Sequence, residues 1–121
     1  MRRTPILACA ATFLFAAGCA TCEPASSGEI AKEDFGDKPA DPHQLMTNYF
    51  SRILFDASTA EYKFENDPVQ GKAWVGGRDI YGWLYTVDVN STNNFGARTG
   101  WKTWKFLIRD NAIQAVKEPS K

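Results

Sequence analysis

The sequence predicts an α+β domain, one N-terminal amphipathic helix packed on an antiparallel sheet of about four strands. Three observations predict it. Apolar residues recur at three- and four-residue spacing over 45–54, then alternate with period two over 81–89 and again over 103–108. Turn-forming pairs, Gly76-Gly77 and Asp110-Asn111, interrupt the alternating stretches. The 121 residues are 44% hydrophobic and 13% aromatic, enough for one small core.

The chain opens with MRRTPILACAATFLFAAG. Arg2 and Arg3 precede an apolar run from Ile6 to Phe15, and the small residues Ala16, Ala17 and Gly18 follow. That order is the layout of a secretory signal peptide over 1–18, and the run is too short for a membrane-spanning helix, which needs about 20 apolar residues. Ala16-Ala17-Gly18-Cys19 resembles the lipobox of bacterial lipoproteins, with Ala16 where that family prefers leucine. The resemblance implies acylation of Cys19, cleavage just before it and a membrane partner held through the lipid. Ala20 is not the aspartate that retains many such proteins in the inner membrane, so the resemblance implies the outer membrane, with the domain facing the periplasm. The other reading is ordinary cleavage near Ala20 and a soluble periplasmic product.

Residues 19–41 read as the lipidated cysteine and a flexible tether. Pro, Gly, Ser, Ala and acids dominate, and Glu23 to Asp41 carries six acids against two lysines. Such composition buries too little to order itself. Cys22 reads as a lone thiol beside the anchor, either inert or paired with another chain.

The domain, 42–121, starts with a helix. Asp41 suits the N-cap and Pro42 the first helical position. Leu45, Met46, Tyr49, Phe50, Ile53 and Leu54 form one stripe, expected to cover a sheet face made by Trp83, Tyr85, Trp104 and Phe106. Ala60 to Glu65 reads as a short strand with Tyr62 and Phe64 on one face, ended by Asn66-Asp67-Pro68. Lys72 to Val75 is a further candidate. Tyr81 to Val89 is the clearest strand, and the run around Trp104, Phe106 and Ile108 is its partner. Asp110-Asn111 forms a tight turn, and Ile113 to Val116 is the last strand.

Between the two best strands lies VNSTNNFGARTGW, long for a hairpin link. Asn90 and Asn94 carry amides that can bond backbone across the bend. Val89-Asn90, Asn93 or Asn94, Phe95-Gly96 and Thr99-Gly100-Trp101 resemble a VNxxNxFGxxTG-type motif of small bacterial envelope proteins. A segment like the one those proteins carry before it is echoed by Asp56 to Tyr62. This chain departs from the pattern at Thr92 or Asn93, where lysine is usual, and at Ala97-Arg98, where Gly-Tyr is usual. The resemblance implies a shaped loop and carries no activity. The candidate binding residues are Asn90, Asn94, Phe95, Gly96, Arg98 and Trp101.

Chemistry is sparse. His43, the single histidine, sits at the helix start, and no cysteine lies within 42–121. That domain holds no HExxH, no CxxC, no Walker loop and no GxGxxG. No catalytic residue, metal ligand or cofactor is assigned, and no enzyme is expected. Fourteen basic and fourteen acidic residues balance, which gives no global pull toward nucleic acid. From Ala97 onward, however, six bases face two acids, interleaved with Trp101, Trp104 and Phe106. A basic, aromatic sheet face fits an anionic envelope surface. The sequence therefore points to a non-catalytic envelope lipoprotein binding a protein or peptidoglycan. The alternative is a lysozyme-inhibitor-like or phage-exclusion lipoprotein that presents the 90–101 loop.

Overall fold

The computed structural model describes residues 21–65 and 67–119. The expected signal peptide, 1–18, and the expected acylation site, Cys19, lie outside the described residues. The architecture is α+β: two short helices with a six-stranded antiparallel sheet. The strands are β1 (Thr21–Pro24), β2 (Glu61–Phe64), β3 (Val69–Val75), β4 (Arg78–Asn90), β5 (Lys102–Arg109) and β6 (Ala112–Lys117). The helices are α1 (Ser27–Lys32) and α2 (Pro42–Ile53). The sheet has six strands rather than about four: the short strand at Glu61–Phe64 and the candidate at Val69–Val75 both belong to it, and β1 and α1 are elements that the sequence does not announce.

The central strand is β4, 13 residues long. One of its edges pairs with β5; the other is shared end to end by β3, along Arg78–Leu84, and β2, along Val87–Asn90. The hairpin turns are two residues each. Gly76 and Gly77 have φ of 61° and 85°, and Asp110 and Asn111 of 52° and 66°. Positive φ at both central positions matches the right-handed twist of the flanking strands. The sheet curls until β1 and β6, the ends of the strand order, come together.

Period-two alternation gives each face its own core. On one face, Tyr85, Val87 and Val89 of β4, Phe106 and Ile108 of β5 and Val116 of β6 pack under Met46 and Phe50 of α2. Asp41 caps that helix, its side chain accepting from the backbone N–H of Gln44 at 3.1 Å, with Pro42 at the first position. Phe50, fully buried, meets the Trp104 and Phe106 rings edge-on at 5.1 and 5.4 Å. Such pairs add ~0.5–1.5 kcal/mol beyond the area they bury. The expected stripe holds except at Ile53, 46% exposed, where the helix ends clear of the sheet. On the concave face, Cys22, Ala73, Leu84, Leu107 and Ala115 form a second, small-residue core.

Residues 21–41 are not the free spacer that their composition suggests. β1 pairs antiparallel with β3 and sinks Cys22 into the concave core. A capping box starts α1: Glu29 N–H donates to Ser26 Oγ, and Ser26 N–H donates back to Glu29 Oε1 at 2.8 Å. Glu29 Oε2 also accepts from Lys72 Nζ at 2.8 Å and from Tyr81 Oη at 3.1 Å. Beyond α1, Phe35 is buried edge-on against Tyr81. The Trp83 indole N–H donates to the Gly36 carbonyl at 3.0 Å, and the Arg109 guanidinium donates to the Asp34 carbonyl. Gly36 has φ of 71°, and a Cβ there would lie 2.6 Å from Arg109 Cγ. Long-range partners, rather than local apolar content, order this segment.

Candidate functional site

The 90–101 segment is built on a turn that bonds to itself. Asn93 Oδ1 accepts from Phe95 N–H at 2.9 Å and from Ala97 N–H at 3.1 Å. Asn93 N–H donates to the Ala97 carbonyl at 2.8 Å and Gly96 N–H donates to the Asn93 carbonyl at 3.0 Å. Thr92 and Arg98 form an isolated bridge below it. The bracing amide is thus Asn93, with Asn94 exposed beside it. The sequence marks amides here, but only the turn geometry selects between neighbours. Gly96 supplies the left-handed φ of 82° that closes the turn. At its tip Phe95 is 87% exposed. A large ring standing in water on a braced turn forfeits hydrophobic stabilisation that burial against a partner would supply.

Arg98 faces the fold. Its guanidinium donates to the Thr59 carbonyl at 2.9 Å, Thr92 Oγ1 at 3.2 Å, the Asn90 carbonyl at 3.2 Å and Glu61 Oε1 at 2.7 Å. It fastens the loop base to β2 and the 3-10 turn at Ala57–Thr59. Asn90, the last residue of β4, is half-buried and reaches Glu61 Oε1 through Nδ2 at 3.4 Å. Of the six candidate residues, Asn94, Phe95 and Trp101 present surface, while Asn90, Gly96 and Arg98 shape what carries it.

Trp101 joins the loop to a groove of about 370 Å³ on the sheet, lined also by Lys102, Thr103, Lys105, Lys117, Glu118 and Pro119. Lys63 Nζ stands 4.1 Å above the Trp101 ring centroid. Lys105 of β5 lies directly opposite Lys117 of β6 in the strand register. Like charges in that position repel. Neither ammonium belongs to an ion pair among the described residues. The basic stretch expected from Ala97 onward is therefore split. Arg98 and Arg109 are tied into the fold, while Lys102, Lys105 and Lys117 gather around the groove.

Two other features bear on chemistry. His43 is exposed and stacks on Phe64 at 4.0 Å between ring centroids. Cys22 stands three residues after Cys19, the spacing of a redox pair, but its side chain is buried among Ala73, Leu84, Leu107 and Ala115. Burial pushes the Cys22 thiol up to about 11, against a smaller lowering by Lys117 and Lys105. Redox-active and nucleophilic thiols have the opposite tuning. Sequence reading places Cys22 at the anchor; its role as core residue depends on β1, which no apolar run announces.

Comparison with protein-family models, with curated proteins and with solved structures finds no match to the chain.

Proposed function

We propose that this is a non-catalytic, lipid-anchored protein of the bacterial outer membrane whose domain faces the periplasm and holds an acidic envelope partner, a protein or the cell-wall polymer. The contact runs from Phe95 across Trp101 into the lysine groove. The observation that carries this reading is the Lys105–Lys117 juxtaposition in a groove walled by Trp101. Two facing ammoniums destabilise the sheet, and an anion seated between them would remove the repulsion. The Phe95 ring adds an apolar anchor beside the charged floor, the usual division of labour at an interface.

The test is capture from cross-linked envelopes, together with co-sedimentation with purified peptidoglycan, for wild type and a Lys105→Glu, Lys117→Glu double variant. Wild type retains one partner that the double variant loses. Equal capture by both proteins would discard the groove.

A second reading, an inhibitor that inserts a rigid loop into a partner enzyme, is favoured by the Asn93-braced turn with Phe95 at its tip. Inhibitors of that kind gain affinity from a loop already held in its bound shape. The soluble domain added in excess to lysozyme would then suppress its activity, and full activity would remove the reading.

A further inference from the structure

We infer that the tip of the β3–β4 hairpin, with Trp74 as its anchoring ring, rests in the headgroup layer of the bilayer to which Cys19 ties the chain. The inference rests on acylation of Cys19. Its geometry comes from the strand register, in which Thr21 is the direct partner of Trp74. Cys19 precedes Thr21 by two residues, which at full stretch span about 7 Å. An antiparallel pair stands ~5 Å apart between Cα atoms. Thr21, two residues after the acylation site, therefore stands directly beside Trp74.

The hairpin end has the character of a membrane-surface contact. Trp74 is 52% exposed on the strand that carries β1. Tryptophan suits the bilayer interface because its ring is apolar on its faces and carries one N–H. Two residues on, Gly76-Gly77 make a bare turn, and a Cβ on either would meet no atom within 4 Å. The exposed Arg78 follows, a guanidinium suited to phosphate, with the exposed Asp79 opposite Trp74 in the register. An acyl anchor and an interfacial aromatic together fix orientation where acyl chains alone would leave the domain free to pivot.

The consequence for the proposed contact is geometric. β4 begins at Arg78 and ends at Asn90, 13 residues in all, or about 40 Å of strand. A hairpin tip at the membrane directs the Phe95 turn away from it.

The acylated protein, purified from membranes and reconstituted into phosphatidylethanolamine–phosphatidylglycerol vesicles, is titrated with brominated phospholipid while tryptophan emission is read. The mass of the N-terminal fragment reports acylation of Cys19 separately. Quenching is expected in wild type and in Trp101→Phe, and is expected to be lost in Trp74→Phe, which keeps an apolar ring at the strand edge. If Cys19 is acylated and Trp74→Phe is quenched like wild type, or nothing is quenched, the docking is overturned and the anchor stands. In the unquenched case, cross-linking in the same vesicles reports whether a second copy covers Trp74 instead. An unmodified Cys19 removes the anchor and the docking together.

Discussion

Glu29 and Lys72, 43 residues apart in sequence, meet at 2.8 Å between Oε2 and Nζ. The same carboxylate closes the capping box of α1 and accepts from Tyr81, so one side chain fastens α1, β3 and the central strand β4 together. Only 18% of the Glu29 side chain is exposed.

This hub makes the fold sensitive to acid. The hydrogen bond from Lys72 is the largest cause, ahead of the Ser26 backbone N–H, holding the Glu29 carboxyl down to about 2 from its ordinary 4.5. A carboxyl depressed in the folded state contributes stability that is fully present above its unfolded value and is lost as pH falls toward the folded one. The melting temperature of wild type is expected to drop between pH 4.5 and about 2. In Glu29→Gln the drop is shallower and the neutral-pH melting point lower. Thermal melts across that range, read by circular dichroism, check both.

Cys22 gives the opposite sign. Its thiol, lifted by burial to about 11 from 9.0, stays protonated in the fold where the unfolded chain ionises. Stability contributed by the neutral buried thiol is present below pH 9.0 and declines as pH rises past it. Alkylation mapped by mass spectrometry is expected to leave Cys22 unmodified in the native protein at pH 8 and to modify it fully in denaturant. Rapid native labelling would mean that β1 is not seated on β3.

The loop separates shape from surface. Asn93→Ala removes the acceptor of two backbone N–H groups and is expected to cost about 1–2 kcal/mol in chemical denaturation. Phe95→Ala touches nothing buried, so its stability stays within about 0.5 kcal/mol of wild type. Capture of the partner is lost in both. A Phe95→Ala variant that captures normally would leave the turn as a strand connector.

Facing lysines give a trade between stability and binding. Lys117→Gln relieves the repulsion with Lys105 and is expected to raise stability by ~0.2–0.5 kcal/mol. The same change weakens partner capture, and wild-type capture declines as salt rises from about 0.05 to 0.5 M, where screening shortens the reach of the lysines. Denaturant midpoints and capture at several salt concentrations measure the two effects on the same samples.

Legibility in the sequence follows the source of order. α2, β4 and β5 are readable because each buries one stripe or face of its own residues: Met46 and Phe50, then Val87 and Val89, then Phe106 and Ile108. The Asp110-Asn111 turn is readable because few other residues adopt positive φ in succession. β1 is not readable, since Cys22 is its only buried residue and its hydrogen bonds go to β3, about fifty positions away. α1 owes its place to Lys72 and Tyr81, equally remote. In the loop, composition marks a turn but not the roles of the residues within it. Nothing local says that Arg98 turns inward to Glu61 or that Lys105 faces Lys117.

β1 begins at Thr21 and runs antiparallel to β3, so its first rung is also the one nearest the N-terminal chain. Tension applied through that chain reaches the ladder first at the Thr21–Trp74 rung. Each lost rung draws Cys22 closer to solvent and loosens the concave core behind it. A pull on that chain reaches the sheet first at its β1 margin, on the side away from the α2-covered face.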